Sequence, residues 1–118
     1  MMQILNTAAA KEMVDNDMSL YRILLESYIN DKVLDEKKLS ELEKAEDTTE
    51  AAKYVHYFKG AARQLGAEVL AEAGQNLEDV LRGRAQGSIE QLNKAFIESY
   101  RTAVDAMKKE FESIEEEN

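Results

Sequence analysis

Cysteine, proline and tryptophan are absent from these 118 residues, and histidine occurs once. The lack of cysteine excludes thiol catalysis, thiolate metal sites and disulfides, and it suits a reducing, cytoplasmic setting. The lack of proline leaves nothing to interrupt a helix from within. Glycine is confined to positions 60, 66, 74, 83 and 87. No apolar run approaches membrane-spanning length, and the start, "MMQILNTAAAKEMVDND", is too acidic for a secretory signal, so membrane insertion is not expected. Positive charge is scarce too. Fifteen Lys and Arg face 24 Asp and Glu, for a formal charge of −9. Nucleic acid is therefore not an expected partner, because neutralising phosphates takes clustered cations.

What remains is rich in helix formers, and the length fits one domain over residues 1–118 with a core of about 18–115. The expected fold is all-α: an up-and-down antiparallel four-helix bundle preceded by a short N-terminal helix. Asn6 or Thr7 caps that short helix, which reaches about Val14. Asp17 caps a second, carrying Leu20, Ile23, Leu24, Tyr28, Leu34, Leu39 and Leu42, with "INDK" as a weak point in its middle. Asp47 with Glu50 forms a capping-box pattern that opens a third helix, and Gly66 stops it. A fourth runs from about Ala67 to Arg82 on Leu70, Ala73, Leu77, Val80 and Leu81. Ser88 with Gln91 opens the last, which presents Leu92, Phe96, Ala103, Met107, Phe111 and Ile114. The closing "FESIEEEN" reads as a fraying, solvated helix end.

The single histidine lies in "YVHYFKGAARQLGA", residues 54–67. At about 100° per residue, Ala51, Val55, Phe58, Ala62 and Leu65 form the core seam, and His56 lies opposite it. Lys59, Gly60 and Arg63 fall on the histidine's side, which the wheel assigns to solvent. Lys53, Lys59 and Arg63 make a positive island, since no acidic residue occurs between Glu50 and Glu68. An outward imidazole among cations suits a phosphoryl group. The neutral ring is a nucleophile, and a cation one turn away attracts the anion that forms. Glycine in mid-helix costs roughly 1 kcal/mol against alanine, a cost explained if a side chain at position 60 would obstruct the phosphoryl group or a partner. No second histidine, cysteine or serine elbow supports a catalytic triad. A histidine metal site would need carboxylates where this face offers cations. No glycine-rich phosphate loop for ATP is present.

"HYFKGAARQLGA" resembles the signature of histidine-containing phosphotransfer (HPt) domains, through His56, Phe58, Lys59, Gly60, Ala61, Ala62 and Gly66. Phe58 in an aliphatic slot and alanine where serine often occurs are mild departures. The likeness extends loosely over about residues 15–115, including "LAEAGQNLEDVLRGR". It implies a four-helix bundle that shuttles a phosphoryl group between receiver-domain aspartates in a multistep phosphorelay. By this likeness His56 is the phosphoacceptor, through Nε2. Lys59 steadies the phosphoryl group, and Gly60 keeps the site open. Lys53, Tyr57, Arg63 and Gln64 are the expected partner-binding residues. The resemblance implies a phosphocarrier more than a turnover enzyme. It needs no cofactor or metal of its own, magnesium belonging to the receiver. The expected partners are receiver domains of response regulators or hybrid sensor kinases. Two alternatives stay open: the phosphate-accepting domain of a chemotaxis-type or hybrid histidine kinase, and a receiver-binding helical module that accepts no phosphate.

Overall fold

The computed structural model describes every residue except Lys32 and Asn118, and side chains through Ile114. Six helices and no strand occur among the described residues: α1 (Thr7–Met13), α2 (Met18–Asn30), α3 (Glu36–Glu43), α4 (Thr49–Gln64), α5 (Glu68–Leu81) and α6 (Ile89–Glu117). α4 packs on α5, α5 on α6, and α2 on α6, while the short α3 lies against α4. The molecule measures 50 × 27 × 19 Å. α6, with 29 residues, accounts for the long axis at about 1.5 Å per residue.

Side-chain caps set most of the helix starts. The Asn6 side chain accepts from Ala9 N–H, and Asp17 accepts from Leu20 N–H at 3.1 Å. Between them Asp15 and Asn16 take positive φ, a conformation that Asx residues tolerate. Ser88 Oγ accepts from Gln91 N–H as its spacing implies. The Asp47–Glu50 pattern resolves differently. Thr48 is the cap residue of α4 without a side-chain cap bond, and Asp47 instead accepts from the Thr49 N–H at 2.9 Å.

The weak point of the second helix at "INDK" is where it breaks: α2 stops at Asn30, and Asp35 caps a separate α3, which carries Leu39 and Leu42, by accepting from Lys38 N–H. Lys32 itself lies outside the described residues. The buried stripe is also rotated. Leu20 is 40% and Ile23 61% exposed, while Tyr21 and Leu25 join the expected Tyr28 in the core. Tyrosine can enter because its hydroxyl finds a partner there. Tyr21 Oη donates to Glu110 Oε2 at 2.8 Å, and Tyr28 Oη donates to the Phe58 carbonyl at 3.3 Å. The closing stretch expected to be a solvated, fraying end is instead helical through Glu117, with Ile114 buried and Phe111 packed against the core; the side chains of 115–118 lie outside the described residues.

The α4–α5 turn holds the site's two helices in register. Gly66 has φ +76, and the N–H groups of Gly66 and Ala67 return to the carbonyls of Arg63 and Ala62. This is a Schellman turn, with buried Ala62 and Ala67 in contact range across it. The N-terminal segment is tied onto the turn. Asn6 N–H donates to the Gly66 carbonyl at 2.7 Å, and Glu68 accepts from Gln3 N–H and Asn6 Nδ2. A Cβ at position 66 would collide with the Asn6 carbonyl. Gly66→Ala therefore combines left-handed strain with a backbone clash and should cost at least about 2 kcal/mol. Urea unfolding monitored by helical circular dichroism checks this through the transition midpoint.

Candidate phosphotransfer site

α4 presents His56 outward, its side chain 59% exposed. The ring is held from behind. Nδ1 lies 3.2 Å from both carboxylate oxygens of Glu78 on α5. Glu78 is only 3% exposed and gathers further cations. Lys59 Nζ donates to its Oε1 at 2.8 Å, Arg82 Nε donates to Oε2 at 2.8 Å, and Arg84 Nη2 stands 3.6 Å from Oε2. Burial pushes this carboxyl up. The hydrogen bonds from Lys59, Arg82 and His56 outweigh that and hold it down at about 2. Glu78 is thus an anion that only accepts hydrogen bonds. The hydrogen shared with His56 must sit on Nδ1, which leaves the lone pair on Nε2.

Lys59 does not lie on the solvent side, as the helical wheel implied, but is 5% exposed. The wheel gave α4 one buried face, whereas α4 is covered by α5 as well as by the core seam. Lys59 runs along the α4–α5 contact with its ammonium shared between Glu78 and Gln75 Oε1, the latter at 2.9 Å. Gly74 on α5 makes room for the stem: a Cβ there would stand 3.0 Å from Lys59 Cβ and 3.3 Å from the Phe96 ring.

The other expected residues spread along α4. At Gly60 an added Cβ would meet nothing within 4 Å, so the space beside His56 is open. Tyr57 is 54% exposed and meets Phe58 edge-on at 5.4 Å between ring centroids. Lys53 is exposed one turn before His56 and pairs with Glu50 at 3.4 Å. Arg63 and Gln64 are exposed on the last turn of α4, and Arg63 borders a cavity shared with Met2, Glu72 and Gln75. The structure gathers His56 and Lys59 into one hydrogen-bonded cluster and leaves Lys53, Arg63 and Gln64 outside it.

Sequence reasoning missed Glu78, Gln75, Arg82 and Arg84. One signal was available. Leu70, Gly74, Leu77, Glu78 and Leu81 share the buried face of α5, so an acidic residue stands within an apolar stripe. A buried carboxylate needs cations, but which ones depends on a neighbouring helix.

The Hpt domain family model matches residues 19–116, and the chain belongs to that family. Hpt domains are histidine phosphotransfer modules that work with receiver domains in phosphorelays. No curated protein and no solved structure matches the chain. No described helix is long and apolar enough to cross a membrane.

Glu78→Gln should remove the anchor and strand the buried Lys59 charge, at a cost of about 3–5 kcal/mol. The pH dependence has a defined sign. The folded-state carboxyl titrates near 2, below its ordinary 4.5, so its stabilisation is present above about pH 4.5 and disappears as pH falls toward 2. The stability gap between wild type and Glu78→Gln should shrink over that window, by on the order of 3 kcal/mol. Denaturant titrations of both proteins between pH 6 and pH 2 check it.

Proposed function

We propose that this protein is a phosphocarrier in which His56 Nε2 accepts a phosphoryl group from a receiver aspartate and returns it to another. The observation carrying this reading is the outward imidazole held through Nδ1 by a buried, ionised Glu78. The Nε2 lone pair attacks phosphorus in line. The N–P bond forms, the P–O bond to the aspartyl carboxylate breaks, and the carboxylate leaves with the electron pair. Nδ1 keeps its hydrogen, so the ring gains positive charge as the bond forms. Glu78 stabilises that charge at hydrogen-bond distance. The protein supplies position and a prepared field, as phosphoryl transfer generally requires.

Lys59 contributes from beneath the surface. Its ammonium shares Glu78 with the His56 ring, so it adds positive charge beneath the phosphoryl group that forms there. Its first structural task is to hold Glu78. Gly60 leaves the approach to His56 clear for a receiver, and Tyr57 offers an exposed ring next to it. Lys53, Arg63 and Gln64 line the same helix as outer contacts.

Removal of the acceptor gives the primary test. Incubated with phosphorylated receiver domains, wild type should gain an acid-labile, base-stable label, and His56→Gln should fold and gain none. Label persisting on the glutamine variant would refute the assignment.

Position 60 gives an independent test. Gly60→Ala should hold or raise the melting temperature, because the site is open and alanine is the better helix former by up to about 1 kcal/mol. Gly60→Gln should also fold yet slow transfer about tenfold or more, since its side chain occupies the approach to His56. Wild-type transfer by the glutamine variant would show that this glycine does not serve access.

A further inference from the structure

We propose that Arg84 is a docking residue, engaging the anionic edge of the receiver that presents the aspartyl phosphate. This inference rests on the phosphocarrier reading and adds a contact that the HPt signature does not contain.

The placement begins in the backbone. α5 ends in a second Schellman turn: Gly83, at φ +75, donates its N–H to the Val80 carbonyl, and Arg84 N–H donates to the Asp79 carbonyl at 2.7 Å. That turn sends Arg84 back over the last turn of its own helix. Asp79 then fixes the guanidinium, accepting from Nε at 3.1 Å and lying 2.9 Å from Nη2. Asp79 is itself oriented by Gln75 Nε2 at 2.8 Å, and Gln75 by Lys59 Nζ. Lys59, Gln75, Asp79, Arg84 and Glu78 thus close into a ring. Arg84 is built into the site, yet 53% of its side chain faces solvent.

Comparison of the cations decides which one meets a partner. Lys59 is buried with its ammonium shared by two acceptors, and Arg82 is 30% exposed with Nε on Glu78. Arg84 is the most exposed of the cations on Glu78. It reaches the same Glu78 oxygen as His56 Nδ1, so it stands beside the ring on the side away from Nε2. That places it at the edge of the approaching partner rather than over the transferred group. By the phosphocarrier reading the partner's edge is anionic, because it presents the phosphoryl group to be transferred. A guanidinium held by Asp79 through Nε and Nη2 is fixed in place, so a further anion meets its exposed side at small entropic cost.

The test uses the whole chain and a purified phosphorylated receiver that labels it. Arg84→Ala should raise KM for that receiver about fivefold while kcat falls less than twofold, and it should flatten the loss of rate with added salt. Arg84→Lys, which keeps the charge without the planar fork, should recover only part of the KM. Unchanged KM in Arg84→Ala would overturn the proposal. So would a change in kcat alone, or equal slowing toward phosphoramidate, a small phosphodonor with no protein surface; each would mean that Arg84 acts on the imidazole. A lower melting temperature matching the kinetic loss, unrescued by lysine, would reduce Arg84 to a helix cap and also overturn it. Failure of wild type to label with phosphoramidate and receivers alike would sink the phosphocarrier reading itself, a separate outcome.

Discussion

A carboxylate buried between two helices is expensive unless cations meet it, and Glu78 is met by three residues besides the histidine. Much of the site's geometry follows from that requirement. Lys59 is drawn under the surface of α4, Arg82 and Arg84 are drawn back along α5, and the imidazole is oriented by what remains of the carboxylate. One interaction therefore fixes the tautomer of His56, supplies a counter-charge for the ring and closes the contact between α4 and α5.

That contact depends on close approach as well as charge. The turn at Gly66 sets the two helices side by side, and the N-terminal segment secures the turn from outside. Gly74 leaves the space through which the Lys59 stem runs. An alanine there would press on Lys59 Cβ and the Phe96 ring, which would have to give by a few tenths of an ångström. On the other flank of α4, Tyr28, Tyr54 and Tyr100 surround Phe58 at centroid separations of 5.1 to 6.5 Å. α4 is thereby packed on both flanks where it presents the histidine.

The charge pattern gains meaning at this scale. A protein of formal charge −9 gathers Arg82 and Arg84 beside its one imidazole through Glu78, with Lys53 and Arg63 exposed farther along α4. Net charge opposes indiscriminate anion binding, while the local cations favour one anionic partner surface. The cluster draws on α4 and the end of α5, segments separated in the chain and joined by the α4–α5 packing.

Local chemistry made much of this readable in advance. The caps at Asn6, Asp17 and Ser88 and the stop at Gly66 depend on neighbours within a few residues. The outward direction of His56 depends on a helical period that local sequence also carries. Position 60 followed from the same period. Three features did not follow: the break after Asn30, the burial of Tyr21 on α2, and the burial of Lys59. Each was decided by contact with another element. Tyr21 turns inward because Glu110 accepts its hydroxyl hydrogen. Lys59 turns inward because Glu78, nineteen residues on, is buried beside it. Periodicity sorts residues by a single helix axis, whereas the partner of a buried charge is chosen where two helices meet, and only the packing of α5 on α4 supplies that.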